Sequence, residues 1–189
     1  MKKRIVKIVA LLVPALLLAY ICSGYYMILD LPPHQGDGDF ENIARRHGPF
    51  VINGYRINFE RIDVSKDYEA KMMFSRLPRF GSKCLLYFVI EDPDHRLEEM
   101  GRYAFYRGKV AIEVCDSRGN VVAHVKGRLP ELVWSGHLGR HALYPPSMPL
   151  PNQFQPDSTE PYTLTISYTG DPGLASFKGC ASIQCGGTK

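Results

Sequence analysis

Long runs with helical spacing are almost missing from this sequence, which has one tryptophan and none of the common catalytic signatures. There is no G-x-S-x-G elbow, no phosphate-binding glycine loop and no dinucleotide fingerprint. No C-x-x-C spacing indicates a zinc site. These absences argue against the familiar hydrolase, nucleotide-binding and zinc-binding classes. We therefore predict no enzyme, no catalytic residue and no cofactor.

No acidic residue occurs before Asp30, and this part of the chain contains a long uncharged segment. The 22 residues from Ile8 to Leu29 carry no charge, and four of the first seven residues are basic. A helix of that length reaches about 33 Å, enough for a hydrocarbon core of about 30 Å. Basic residues before such a helix hold the N-terminus in the cytoplasm. We predict that residues 1–29 are a signal or transmembrane anchor. Residues 8–29 would cross a bacterial inner membrane once, leaving the rest in the periplasm.

Two other fates of this segment stay open. Cys22-Ser23-Gly24 resembles a site for a signal peptidase, which prefers small residues. Acylation of Cys22, as in bacterial lipoproteins, is the other alternative, although the bulky Ile21 before it argues against that motif. Apolar residues continue past Cys22 to Leu29, which favours an uncleaved anchor.

The basic charge of the chain belongs to its first residues. The sequence has 23 basic and 19 acidic residues. Four of the basic ones are among the first seven, so the remainder carries equal numbers of each sign. A neutral domain lacks the positive surface that nucleic-acid binding requires. We therefore predict no nucleic-acid partner.

Alternating apolar and polar residues predict the fold of the remainder. Residues 30–48 are rich in Gly, Pro and Asp and are predicted to be a linker, in which Asp37 and Asp39 lack the further ligands of a calcium loop. The domain would span residues 49–187. Seven segments have the pattern of strands: 55–59, 68–75, 84–90, 109–115, 121–126, 162–168 and 177–185. For 68–75, a helix capped by Ser65 is the alternative. The prediction is an all-β fold, an immunoglobulin-like β-sandwich of about seven strands preceded by one N-terminal hydrophobic helix.

Six prolines in the 17 residues from Pro145 to Pro161 interrupt the alternation of apolar and polar residues. Proline lacks the backbone donor, so we expect an extended connection over the sandwich surface without strand pairing. A binding loop is the alternative, since long loops are often functional.

Four cysteines lie in the predicted domain, and their strand parity favours one set of pairs. Cys84 and Cys185 share the parity of core residues, whereas Cys115 and Cys180 share the outward parity. Cys180 and Cys185 are five residues apart on one strand, about 16 Å, too far for a disulfide. We therefore predict Cys84–Cys185 inside and Cys115–Cys180 on the outer face. Buried, unpaired thiols are the alternative.

Two clusters deserve a chemical interpretation. His137 and His141 would share one face of a helix and could hold a metal for a hydrolase. The neighbouring Gly136 and Gly139 instead favour two histidines in a loop. The run from Asp92 to Arg96 holds two carboxylates beside a histidine, as an acid–base cluster would. The Asp-Pro pair at its start favours a turn instead.

Aromatic side chains are the remaining candidates for a contact surface. Trp134 and Tyr144 are candidate partner contacts, because aromatic residues are favoured at interfaces. Burial in the sandwich core is the alternative for Trp134.

The C-terminal arrangement supports a family resemblance. The alternating strand from Pro161 to Tyr168, then Asp171-Pro172-Gly173-Leu174, then a small-residue strand closing at Gly186-Gly187, resembles uncharacterised exported β-sandwich proteins of Gram-negative bacteria. The resemblance covers roughly residues 50–187 and implies no activity. The function predicted is a tethered, non-enzymatic module that binds a protein or cell-wall partner. An immunity-type inhibitor of a toxin is the alternative, and a metal-dependent hydrolase using His137 and His141 is a further one.

Overall fold

Strands account for most of the chain that the computed structural model describes. The described residues are 12–19, 33–43, 45–47, 50–52, 54–78, 83–92, 96, 106–137, 140–144 and 151–186. The strands in chain order are β1 (Gln35–Gly36), β2 (Asp39–Asn42), β3 (Arg45–His47), β4 (Phe50–Ile52), β5 (Gly54–Asn58), β6 (Ile62–Asp63), β7 (Tyr68–Ser75), β8 (Cys84–Glu91), β9 (Lys109–Cys115), β10 (Val121–Arg128), β11 (Val133–His137), β12 (Arg140–Tyr144), β13 (Gln153–Phe154), β14 (Tyr162–Thr169) and β15 (Lys178–Gly186). Short 3₁₀ helices span Leu129–Glu131 and Pro172–Leu174.

Two antiparallel sheets form the body of the fold. The five-stranded sheet has the order β1-β7-β14-β9-β10. The eight-stranded sheet has the order β11-β12-β8-β15-β5-β2, with β13 beside β8 and β6 beside β15. Strands β3 and β4 pair separately. The predicted all-β sandwich with an N-terminal helix is confirmed.

All seven strands predicted from alternation are present, as β5, β7, β8, β9, β10, β14 and β15. They form because alternate side chains of each strand reach the space between the sheets, where they escape water. The helix considered for residues 68–75 is wrong, because β7 pairs along its whole length with β14. Strand β8 has few exposed side chains on either face, as expected of a central strand.

Aromatic rings link the two sheets through the core. Phe88 of the eight-stranded sheet stacks on Tyr168 of the five-stranded sheet, with ring centroids 5.4 Å apart. Phe74 contacts Phe59 edge-on at 5.3 Å and stacks on Tyr162 at 5.6 Å. Such pairs stabilise a core beyond the area that they bury.

A disulfide joins Cys84 and Cys185, as predicted from their inward parity. The second predicted pair is wrong, because Cys115 and Cys180 are free thiols. Both residues do point away from the core, but Cys115 is on the five-stranded sheet and Cys180 on the eight-stranded sheet. The outer faces of a sandwich lie on opposite sides of two layers about 10 Å apart, beyond the reach of a disulfide.

The segment predicted as a linker contributes strands to both sheets. Strand β1 pairs with β7, and β2 pairs with β5. Gly36 and Gly38 adopt positive φ, which lets the chain turn from one sheet to the other between these strands. Phe40 then stacks on Tyr55 with centroids 5.3 Å apart. The linker prediction is therefore wrong for residues 35–42, where glycine serves a tight turn.

The proline-rich connection takes part in strand pairing. In its described part, Gln153 and Phe154 pair with Leu85 and Cys84, and Phe154 is buried. The carbonyl of Pro151 accepts a hydrogen bond from His124 N in the other sheet. The expected absence of pairing is wrong at these two residues, because they lie between prolines and have their own N–H groups.

The N-terminal helix covers residues 12–19 in the described chain. The rest of the predicted 8–29 span, with Cys22, lies outside the described residues. Among the helices that the structure describes, none has the length and apolar character needed to cross a bilayer.

Candidate functional site

A charged cleft opens on the outer face of the eight-stranded sheet. Its volume is about 460 Å³. The residues that line it come from five separate parts of the chain: Asp37, Gly38, Asp39, Asn58, Phe59, Glu60, Arg61, Glu91, Arg140 and Cys180. Strand register brings these parts together, because β12, β8, β15, β5 and β2 are consecutive neighbours.

Each row of outward side chains crosses several strands. Asp39 is opposite Asn58, which is opposite Ser182 in β15. At the end of the sheet, Arg140 is opposite Glu91, and Glu91 is opposite Lys178. The charged residues of the cleft therefore lie at strand ends, where outward side chains reach solvent.

Ion pairs hold one wall of the cleft. Glu91 Oε1 lies 3.2 Å from Arg61 Nη2 and 4.0 Å from Arg140 Nη2. The Glu91 side chain is about a quarter exposed, so this pairing orients the guanidinium groups more than it stabilises the fold. Both guanidinium groups therefore lie beside Glu91 in the cleft.

Three further carboxylates line the cleft. Asp37 Oδ2 accepts a hydrogen bond from Met73 N at 2.7 Å. Glu60 Oε2 accepts one from the hydroxyl of Tyr68 at 2.8 Å. Asp39 is exposed at the start of β2. With Glu91, the cleft holds four acidic and two arginine side chains, a surplus of negative charge.

A buried thiol forms part of the floor. Cys180 is 3% exposed and lies with Tyr87 and Val89 in an apolar cluster on this outer face. Its Sγ is 3.6 Å from Ser182 Oγ, which donates to Asn58 Oδ1 at 2.9 Å. Burial raises the pKa of the Cys180 thiol, so the neutral form is favoured at neutral pH.

A polar network extends the face beyond the cleft. Gln184 Oε1 accepts hydrogen bonds from Arg56 Nη2 at 3.0 Å and from the Tyr87 hydroxyl at 3.1 Å. Arg56 also reaches Glu41 at 3.4 Å. Burial raises the pKa of Tyr87 to about 12, which keeps the phenol protonated as a donor.

The two aromatic candidates lie in different places. Tyr144 is on the outer face of the eight-stranded sheet, where its ring lies 5.7 Å from that of Tyr87. Trp134 packs against the core and beside Tyr106, and its indole N–H donates to the carbonyl of Leu129 at 2.9 Å. The structure thus places Tyr144 beside the cleft's floor cluster and gives Trp134 a packing position.

The histidine pair does not lie on a helix or in a loop. His137 ends β11 and pairs with Arg140, whereas His141 in β12 pairs with Gly136. The metal geometry expected of i and i+4 positions on one helix face is therefore wrong. Among the described residues, no group of three His, Cys, Asp or Glu side chains is placed to hold a metal ion.

Asp92 follows the end of β8 and is buried, and its Oδ1 accepts a hydrogen bond from Arg96 N at 2.9 Å. Residues 93–95, with Asp94 and His95, lie outside the described residues, so the turn that Asp-Pro favours stays a prediction.

Sequence reasoning missed most of the cleft. Asn58, Glu60, Arg61, Glu91 and Arg140 were passed over because each is an ordinary polar residue at a strand end. A usable signal was the pair Ser182 and Gln184, two polar residues in the otherwise apolar β15, which indicates that this face has polar neighbours.

Comparisons with known proteins give no family. No protein-family model matches the chain, and no curated protein matches it. Among solved structures, a protein from Sulfurospirillum deleyianum is 10% identical with a TM-score of 0.37, over 72% of this chain and 99% of that one. The CBM27-1 module of Caldicellulosiruptor saccharolyticus, solved with mannohexaose, is 8% identical with a TM-score of 0.32, over 81% of this chain and 82% of that one.

A third structure, the VP2 subviral particle of infectious bursal disease virus, is 8% identical with a TM-score of 0.27. The match covers 81% of this chain and 32% of VP2. All three scores are below 0.5, so none of these likenesses assigns a family or a ligand to this chain.

Proposed function

We propose that the chain is an exported, non-enzymatic binding module of the bacterial envelope. Residues 8–29 tether it to the inner membrane, and the charged cleft takes a segment of a protein or cell-wall partner. The cleft, in which two arginines pair with Glu91 beside three further carboxylates, is the observation that carries this proposal.

The state of the cleft's polar groups favours binding over catalysis. A general base or nucleophile needs an activated group. Here Glu91 is paired with arginines, Glu60 accepts from a tyrosine, and Cys180 is a neutral, buried thiol. Such groups are suited to recognition, since they are already oriented and need little reorganisation when a ligand arrives.

The charges of the cleft favour a ligand with both signs and a cationic excess. Four carboxylates outnumber two guanidinium groups, so a basic side chain or free amine would be attracted to Asp37, Asp39 and Glu60. The guanidinium groups of Arg61 and Arg140 would meet a carboxylate or carbonyl. A peptide segment offers both chemistries, and so does the peptide part of a cell wall.

Export is supported by the N-terminal segment and by the cysteines. The uncharged run after four basic residues favours membrane insertion. The disulfide between Cys84 and Cys185 suits an oxidising compartment, because the cytoplasm keeps thiols reduced.

Site-specific photocrosslinking in cells that make the protein tests the binding role. A photoreactive amino acid replaces Asp39 in the cleft or, as the control, Arg118 in the exposed turn after β9. We expect a discrete adduct with an envelope protein or wall fragment from position 39 alone. The same adduct should be lost when Glu91→Lys reverses the charge between the two arginines.

Two results would contradict the proposal. One is that positions 39 and 118 give the same adducts, or that neither gives any. The other is hydrolytic activity of the purified full chain that disappears with a cleft substitution such as Glu91→Gln. A toxin as the adduct would favour the immunity-type alternative, which stays a prediction.

A further inference from the structure

The outer face of the five-stranded sheet is a second surface, which adjoins the cleft at one edge, where Asp37 accepts a hydrogen bond from Met73 N. The exposed large hydrophobic side chains in the described part of the sandwich are Met73 and Val121, at 60% and 51% exposure. Both lie on this face. Exposed single hydrophobic residues are ordinary, so these two matter only through the row that they share.

Strand register places these two residues in one row. Met73 is opposite Thr163, Thr163 is opposite Cys115, and Cys115 is opposite Val121. The row thus crosses β7, β14, β9 and β10, about 14 Å from end to end. The side chains at its two ends are large and apolar, and the two between them are small.

Two further rows run beside it. In the second row the order is Lys71, Thr165, Glu113 and His124. In the third row the order is Glu69, Ser167, Ala111 and Lys126. Glu69 and Lys126, both exposed, therefore occupy opposite ends of one row. Neither forms an ion pair within the part of the chain that the structure describes.

The first and third rows are complementary to themselves about one axis. A two-fold axis parallel to the strands, midway between β14 and β9, brings β7 of one copy over β10 of the other at the same height. Met73 then faces Val121 of the second copy, and Glu69 faces its Lys126. The small central residues Thr163, Ser167 and Ala111 allow the sheets to approach to about 10 Å.

Another choice of axis loses this match. A two-fold axis across the strands through the second row would place Met73 against Glu69 of the other copy, burying a carboxylate on an apolar side chain. Of these two axes, the one along the strands pairs Met73 with Val121 and Glu69 with Lys126, while Lys71 of the second row meets His124.

We propose that this face binds a second copy of the same chain, in a two-fold dimer with β7 of each copy over β10 of the other. The face measures roughly 19 by 23 Å. Treated as flat, without the added area of projecting side chains, this is about 440 Å² per copy. Stable interfaces bury about 800 Å² per partner, so the dimer is weak and reversible. It covers the cleft at most near Asp37, because the arginines, Glu91 and Cys180 of the cleft belong to the other side of the sandwich.

Charge reversal in the full-length chain, in detergent, tests the dimer. Sedimentation is measured from about 1 mM to about 1 μM, the range of dissociation constants expected of a small interface. Glu69→Lys should raise the dissociation constant about tenfold, because Lys would then face Lys126 of the other copy. The double variant Glu69→Lys with Lys126→Glu should restore it. Lys83→Glu, a charge reversal of the same size and opposite sign at an exposed site outside the face, is the control.

Thiol cross-linking distinguishes this geometry from other dimers. Differently tagged Met73→Cys and Val121→Cys chains, each with Cys22→Ser and Cys115→Ser, are mixed and treated with a short bifunctional thiol reagent, because facing sheets about 10 Å apart are too far for a direct disulfide. We expect a cross-link between the two different chains and none between two Met73→Cys chains, whose cysteines would be about 14 Å apart. Unfolding by urea confirms that each variant is folded.

Three outcomes would overturn the proposal. They are a chain that stays monomeric throughout the dilution series, a dimer that is indifferent to Glu69→Lys, and cross-links between identical Met73→Cys chains. A monomer whose Met73→Cys variant cross-links to a different protein would assign the face to that partner instead.

Discussion

Cys84 and Cys185 lie directly opposite each other in β8 and β15, with their Cα atoms 4.2 Å apart, and a disulfide joins them. Both are fully buried, and the Tyr55 hydroxyl lies 3.5 Å from Cys84 Sγ. The bond connects residues 101 apart in sequence across two neighbouring strands of the eight-stranded sheet. It therefore fixes the register of the sheet whose outer face carries the cleft.

Removing this disulfide is expected to destabilise the fold strongly. A cross-link that closes a loop of about 100 residues restricts the unfolded chain, and loss of such a native disulfide typically costs about 2–5 kcal/mol. Urea unfolding of Cys84→Ala with Cys185→Ala should show this loss in the free energy of unfolding. Cys115→Ser is the matched control and should change it little, because Cys115 is a free thiol. Equal midpoints for the double variant and the wild type would contradict the expectation.

Asp171 is predicted to anchor the connection that leads into β9. Its buried carboxylate accepts hydrogen bonds from the backbone N–H groups of Arg107, of Gly108 at 3.0 Å and of Gly173 at 2.9 Å. Asp171→Ala would leave these donors without an acceptor and should lower the free energy of unfolding by about 2–4 kcal/mol. The exposed Glu113→Ala is the control, with an expected change within about 0.5 kcal/mol. Similar effects of both substitutions in urea unfolding would show that Asp171 has no anchoring role.

Buried tyrosines predict a loss of stability at high pH. Burial raises the pKa of Tyr87 from 10.0 to about 12 and also raises the pKa of Tyr55 and Tyr168. A raised folded-state pKa contributes stability that is complete below the unfolded pKa and is lost as the pH rises through the folded value. The free energy of unfolding should therefore fall between pH 10 and about 12, and Tyr87→Phe should flatten that fall. An unchanged slope in Tyr87→Phe would remove Tyr87 from this explanation.

The two free thiols of the domain should differ in reactivity. Cys115 is half-buried on an outer face, whereas Cys180 is buried and its thiol pKa is raised by that burial. A maleimide should label Cys115 quickly and Cys180 only slowly in a Cys22→Ser chain, because the thiolate is the reactive form. Mass spectrometry of digested samples taken over time measures both rates. Rapid labelling of Cys180 in the folded protein would contradict its buried position on the cleft floor.

Much of the fold could be predicted because half-buried strands alternate. Tyr162 to Tyr168 and Val110 to Val114 show this alternation directly, and both segments are strands. The hairpin of β11 and β12 was missed because its glycines and the prolines that follow it are typical of a loop. Strands β1 and β2 were missed for a similar reason, since Gly36 and Gly38 are needed for the turn between the two sheets.

The cleft could not be predicted, because it depends on which strands are neighbours. Asp39, Asn58, Glu91 and Arg140 are far apart in sequence and meet only through the order β12-β8-β15-β5-β2. The parity of Cys180 indicated its outward direction correctly. It could not indicate on which sheet the residue lies, and so the pairing with Cys115 was wrong. Tyr144 was identified as an aromatic residue suited to a contact, and its part in binding stays a prediction.

Export of the sandwich is the claim on which the tether, the oxidised disulfide and the envelope partner all depend. Two reporters fused to the C-terminus of the full chain test it most directly, namely alkaline phosphatase, which requires an oxidising compartment, and a fluorescent protein that matures only in the cytoplasm. We predict phosphatase activity without fluorescence. Fluorescence without phosphatase activity would place the domain inside the cell and contradict the proposed function.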